Sequence, residues 1–84
     1  MTPTSRTTAG QALSALRKRR GLTGRALAER TGVSQPSVAR AEAGRIRLPP
    51  GALERLLREL EPTQQERWTI VAGMAWDHAY TRLL

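Results

Sequence analysis

The chain has no cysteine and no phenylalanine among its 84 residues, and only two tryptophans, one tyrosine and one histidine. Without cysteine neither a disulfide framework nor a thiolate zinc site can hold the fold together. One histidine cannot build a metal cluster, and beside a single aspartate it leaves little material for a catalytic triad. A phosphate loop of the GxxxxGK[ST] type is missing as well. The chain is therefore expected to be non-enzymatic, with no metal and no cofactor, and His78 reads as a surface or interface residue. No apolar run follows the amino terminus in the manner of a secretory signal. The longest apolar-leaning stretch, Trp68 to Leu84, carries Asp77, His78 and Arg82 and is too short for a membrane span. The expected location is the cytoplasm, with no membrane partner. A chain so poor in aromatics has a small core, expected to consist of Leu, Val, Ala and the two Trp. Self-association would add buried area to it.

Acidic residues are scarce in one half only. The net charge is +7, and its distribution is lopsided. From Met1 to Arg47 there are ten Arg or Lys against Glu29 and Glu42, a surplus of 10 − 2 = 8. From Leu48 onward four Arg face five acids, 4 − 5 = −1. A preference for Arg over Lys explains which base is used, but not this segregation. A domain basic on one side suggests a polyanion partner, either a nucleic acid or an anionic membrane surface. The second is disfavoured because no basic amphipathic helix with large apolar residues is present.

Strand patterns, internal repeats and low-complexity tracts are also absent, and the periodicity predicts an all-α domain of five helices. Thr8 and Gln11 fit a capping box opening the first helix, which Gly21 closes. Thr23 caps a second helix running to about Thr31, stopped by Gly32. Ser34 caps a third, with Gln35 and Pro36 in its first turn and Gly44 as its stop. Leu53, Leu56, Leu57 and Leu60 form the apolar stripe of a fourth helix, residues 52–60, broken by Pro62. Thr63 and Glu66 form a second capping box, opening a fifth helix expected to reach the carboxyl terminus. Residues 1–7 read as a flexible arm carrying Arg6.

The third helix divides into two arcs at 100° per residue. Gln35, Pro36, Ala39, Arg40 and Ala43 fall on one, while Ser37, Val38 and Ala41 fall on the other. The second is the arc expected to pack. The fifth helix is apolar over about half its circumference, along the Trp68, Val71, Ala75 and Ala79 stripe. Ile70 and Met74 lie outside that stripe, so these two, with Trp76 and Tyr80, are expected to form a dimer interface.

The span Leu22 to Gly44, LTGRALAERTGVSQPSVARAEAG, resembles the helix-turn-helix of the lambdoid phage repressor and Cro family, the XRE class. The resemblance rests on Leu22-Thr23, Leu27-Ala28, Gly32-Val33-Ser34, Gln35, Ser37-Val38, Glu42 and Gly44. It extends over roughly residues 9–60, which makes residues 8–61 a DNA-binding domain and 62–84 a carboxyl-terminal helix packed on it. What the resemblance implies is a transcriptional regulator, a repressor or an activator, acting as a homodimer on an inverted-repeat operator in the nucleoid. Double-stranded DNA is then the partner, and helix 34–43 enters the major groove. Gln35, Ser37, Ala39 and Arg40 are the expected base readers: Gln35 toward adenine, Arg40 toward guanine or a phosphate, Ala39 toward a thymine methyl. Thr23, Arg25, Ser34, Arg45, Arg47 and Arg6 are the expected phosphate contacts. Lys18-Arg19-Arg20 reads as a solvated charge run. Arg17 and Glu42 align with an Arg–Glu pair that joins the first and third helices in such repressors.

Three positions depart from the family pattern. Pro36 stands in place of a base-reading polar residue, Gly24 in place of a phosphate-contacting Gln, and Ala43 in place of Asn. With so few direct readers, discrimination leans on DNA shape and on the arm and loop arginines. The rival reading is a protein-interaction module, an antitoxin or accessory regulatory subunit, docking a partner through its last helix.

Overall fold

Five helices make up the computed structural model, which describes residues 6–74 and Leu83. They are α1 (Arg6–Arg19), α2 (Gly24–Thr31), α3 (Gln35–Glu42), α4 (Pro50–Leu60) and α5 (Gln64–Met74), and no strand occurs among the described residues. Each is bounded by local chemistry. Gly21, at φ 72°, closes α1 with the paired bonds of a Schellman motif: its own N–H donates to the Lys18 carbonyl and that of Leu22 to Arg17. Gly44, at φ 75°, ends α3 in the same way, with Gly44 donating to Ala41 and Arg45 to Arg40. The capping box at α5 is complete, since Glu66 N–H donates to Thr63 Oγ1 and Thr63 N–H to the Glu66 carboxylate.

Two helices start earlier than their local signals indicate. The Thr8 capping box is not used. Helix α1 already includes Arg6 and Thr7, which the sequence assigns to the arm, and Thr7 lies against Gly44. That contact is tertiary, so no cap residue signals it. Helix α4 takes in Pro50 and Gly51. Proline suits the first helical position because the N–H it lacks would have no intrahelical partner there.

The core is aliphatic. Leu13 and Leu16 of α1 meet Leu27, Val38, the four α4 leucines and Ile70, Val71 and Met74 of α5, all at 1% exposure or less. Helix α5 packs chiefly on α1, and α3 sits between α1 and α2. The expected tryptophan contribution fails at Trp68, which is 55% exposed, while Trp76 lies outside the described residues. The face of α5 is thus rotated relative to the aromatic stripe. Ile70 and Met74 are fully enclosed by the chain's own core, so neither is available to a partner. The apolar surface of α1 draws in whichever face of α5 buries the most aliphatic area, and the flat indole of Trp68 is left outside.

Helix α5 is described as far as Met74, and its expected continuation to the carboxyl end lies outside the described residues. Arg67 Nη1 donates to the Leu83 carbonyl at 3.1 Å.

Arginines tie the helices together where the sequence suggests only a solvated run. Arg20 Nε donates to the Leu60 carbonyl at 2.7 Å, and its Nη2 bonds the Glu61 carbonyl. Glu61 stands in the left-handed region at φ 49°, unusual for a residue with a side chain. The end of α4 therefore lacks the usual glycine, and the Arg20 guanidinium fills its orphan carbonyls instead. Arg19 pairs with Glu66 and joins α1 to the start of α5.

Candidate nucleic-acid interface

The unit α2–turn–α3 is fixed from within. Thr23 Oγ1 accepts the Ala26 N–H at 3.0 Å, which starts α2. Gly32, at φ 75°, turns the chain. Thr31 Oγ1 donates to the Leu27 carbonyl at 2.7 Å and accepts from Val33 N–H, while the Val33 side chain is buried at 4% exposure. An apolar anchor on the turn sets the angle at which α3 leaves it. Ser34 Oγ then accepts the Ser37 N–H and donates to Ser37 Oγ at 2.7 Å.

Helix α3 presents two sides, as its periodicity predicts. Val38 and Ala41 are in the core, at 1% and 0% exposure. Gln35, Pro36, Ala39, Arg40 and Ala43 are exposed, and Ser37 is half-buried. The helix is eight residues long, about 12 Å, and an α-helix, about 10–12 Å across with its side chains, fits the DNA major groove. With methyl groups alone at 39 and 43, its outer surface is low enough for close approach to base edges.

Charge is arranged around the two ends of α3. At its amino end, Arg25 and Gln35 border one shallow depression with Glu29 and Ser34. Arg25 Nε is 3.2 Å from the Glu29 carboxylate, but both side chains are about two-thirds or more exposed. Such a pair is worth well under about 1 kcal/mol, and Arg25 can readily exchange Glu29 for a phosphate. At the carboxyl end, Arg6, Arg45, Ile46 and Arg47 line a second depression. Arg6, Arg40 and Arg45 enter no ion pair among the described residues. By contrast, Arg17, Arg19, Arg30 and Arg58 are each paired within the fold. Lys18, Arg20, Arg55 and Arg67 likewise enter no ion pair among the described residues. Unpaired charge is thus spread over the fold, and Arg6, Arg40 and Arg45 are the part of it at the exposed surface of α3.

Arg17 and Glu42 lie behind that surface. Arg17 Nε and Nη2 donate to the two Glu42 carboxylate oxygens at 2.7 and 2.9 Å, and Nη1 donates to the Leu22 carbonyl at 2.8 Å. Both side chains are nearly buried, at 14% and 13% exposure. The Glu42 hydrogen bond raises the pKa of Arg17 above its already high ordinary value, against the opposing effect of burial. One guanidinium thereby joins α1, the start of the helix-turn-helix and the end of α3.

Of the expected dimer contacts, Ile70 and Met74 are core residues, and Trp76 and Tyr80 lie outside the described residues. Sequence reasoning missed Arg20 and Arg19 as structural residues. Its one available signal was a helix end at Glu61-Pro62 without a glycine to close it. No group of His, Cys, Asp or Glu suited to a metal ion occurs among the described residues, and no helix there is long and apolar enough to cross a membrane.

No curated protein and no solved structure matches the chain. The sequence profile of one family does, over residues 8–68, from the first helix through the early turns of α5. A match across that much of the chain agrees with the capped α2–turn–α3 unit and the exposed outer side of α3. The chain belongs to the helix-turn-helix domain family, a family of DNA-binding domains.

Proposed function

We propose that this protein is a sequence-specific transcriptional regulator of the XRE class, binding duplex DNA as a homodimer on an inverted repeat. The observation that carries the reading is the gathering of Arg6, Arg40 and Arg45, none of them ion-paired among the described residues, around an exposed α3. Helix α3 enters the major groove. Gln35 bonds adenine N6 and N7, Arg40 bonds guanine O6 and N7, and Ala39 touches a thymine methyl. Ser37 accepts from Ser34 and keeps its hydroxyl proton for a base or phosphate oxygen. Thr23 accepts from Ala26 and likewise retains a proton for phosphate. Ser34 at the α3 cap, Arg25 at the amino end of the surface, and Arg6, Arg45 and Arg47 at the other end grip the backbone. The dimer follows from the geometry of such readers, which occupy two half-sites one helical turn apart.

The exposed Trp68, bordering a depression with Gln64, Gln65 and Arg67, favours a second reading, a module that docks another protein through α5. Selection of bound fragments from random duplex DNA separates the two. An enriched inverted repeat with a fixed spacing is the expected result. Retention without any enriched sequence, by a chain that sediments as a monomer, would favour the protein-docking reading.

A further inference from the structure

Three residues on one stripe of α1 hold the carboxyl end of α3: Thr7 against Gly44, Gly10 against Ala41 and Glu42, and Arg17 against the Glu42 carboxylate. The middle contact is the tightest. A Cβ at position 10 would stand 2.5 Å from the Glu42 carbonyl oxygen and 2.6 Å from that of Ala41. Both obstacles are backbone, so no side-chain rotation relieves them. We infer that Gly10 is a specificity-determining positioning residue, setting through the α1–α3 spacing where the carboxyl end of the recognition helix lies, without touching DNA. The inference rests on the proposed reading of α3 as the base-reading helix.

The magnitude follows from the contact itself. To reach the 3.4 Å at which ordinary van der Waals contact begins, the α3 backbone must retreat by 3.4 − 2.5 = 0.9 Å. The amino end of α3 is held separately, by the Ser34 cap and the buried Val33. The helix therefore pivots, by roughly 5° over its length of about 12 Å. A recognition constellation tolerates about 0.5 Å of displacement before its hydrogen bonds are lost. Arg40, next to Ala41, is on the moving end, and Gln35 is at the pivot. The effect of an added methyl is thus polarised: the base pair read by Arg40 loses its preference and the one read by Gln35 keeps it.

The test compares wild type with Gly10→Ala, each alone and combined with Gly51→Ala. Gly51 is helical, and a Cβ there meets nothing within 4 Å, so alanine strengthens α4 without touching the interface. Fragment selection on random duplex DNA gives a preference at each base pair, and titration on an unrelated duplex at low salt gives non-specific affinity. Expected for Gly10→Ala is a roughly tenfold loss of preference at the Arg40 base pair, the scale of one lost base contact. The Gln35 position and the non-specific affinity should stay within about twofold, and Gly51→Ala alone should match wild type. An unchanged preference at both positions overturns the role of Gly10 and leaves the DNA-binding reading standing. An equal loss at both positions, or a chain that lacks helical circular dichroism in both backgrounds, makes Gly10 a stability residue only and also overturns it. A wild-type chain with no sequence preference removes the DNA-reading proposal itself, and this one with it.

Discussion

Arg40 and Arg17 are both arginines in the basic half of the chain, yet their surroundings give them opposite duties. Arg40 is exposed on α3 and forms no ion pair among the described residues, so its guanidinium is available to a ligand. Arg40→Ala should weaken specific binding by about 1–3 kcal/mol and relax preference at one base pair. Equal weakening on all sequences in a binding titration would instead make it a phosphate contact. Arg17 is nearly buried and spends three of its donors inside the fold. Arg17→Met strands the Glu42 carboxylate and should cost about 3–5 kcal/mol in a urea melt. Combining it with Glu42→Leu should recover much of the loss, because apolar replacement of a buried pair is often neutral. Strictly additive losses would count against the coupling. The exposure of Arg40 and the pairing of Arg17 with Glu42 were legible in the sequence, since the α3 periodicity separates Arg40 from Val38 and Ala41, and a family resemblance aligns Arg17 with Glu42. The duty of Arg20 was not, because it depends on a carbonyl forty residues away.

At the level of elements, α5 is the instructive case. Its amino end is written locally, in Thr63 and Glu66, and forms as written. The face it buries is not. Ile70 and Met74 look like outliers from an aromatic stripe, yet the aliphatic surface of α1 selects them and leaves Trp68 in solvent. The capping box also carries a pH dependence. Glu66 is held below the usual carboxylate range, first by the Thr63 N–H it accepts, with burial opposing and Arg19 assisting. A depressed carboxylate pKa stabilises the fold above the unfolded value and loses that contribution as pH falls through the folded one. The advantage of wild type over Glu66→Gln in thermal melts should therefore be full near neutral pH and vanish as the solution is acidified below the ordinary value of 4.5. A gap that persists unchanged to pH 2 would mean that the charge contributes nothing there.

Across the whole molecule, the charge distribution makes the proposed DNA binding testable by its dependence on salt. The first 47 residues hold the entire positive surplus, and within them Arg17, Arg19 and Arg30 form ion pairs inside the fold. If a dimer neutralises about six phosphates, the log–log dependence of affinity on salt should have a slope near −5. Arg45→Ala and Arg6→Ala should each lower that slope by about 1 per chain without altering sequence preference. A slope near zero between low and moderate salt would remove the electrostatic face.

The sequence by itself determined the all-α class, the caps at Thr23, Ser34 and Thr63, the glycine stops at 21, 32 and 44, and the division of α3 into a packed and an exposed side. All of these act within a few residues, through backbone hydrogen bonds, φ preferences and a fixed 100° periodicity. The tertiary structure alone decided that α1 extends to Arg6 against Gly44, that Arg20 closes α4, and that α5 buries Ile70 and Met74 in place of Trp68. It also decided that Gly10 lies against the backbone of α3. Each of these depends on distant segments competing for the same buried volume or the same orphan carbonyl, and no local pattern encodes which of them wins.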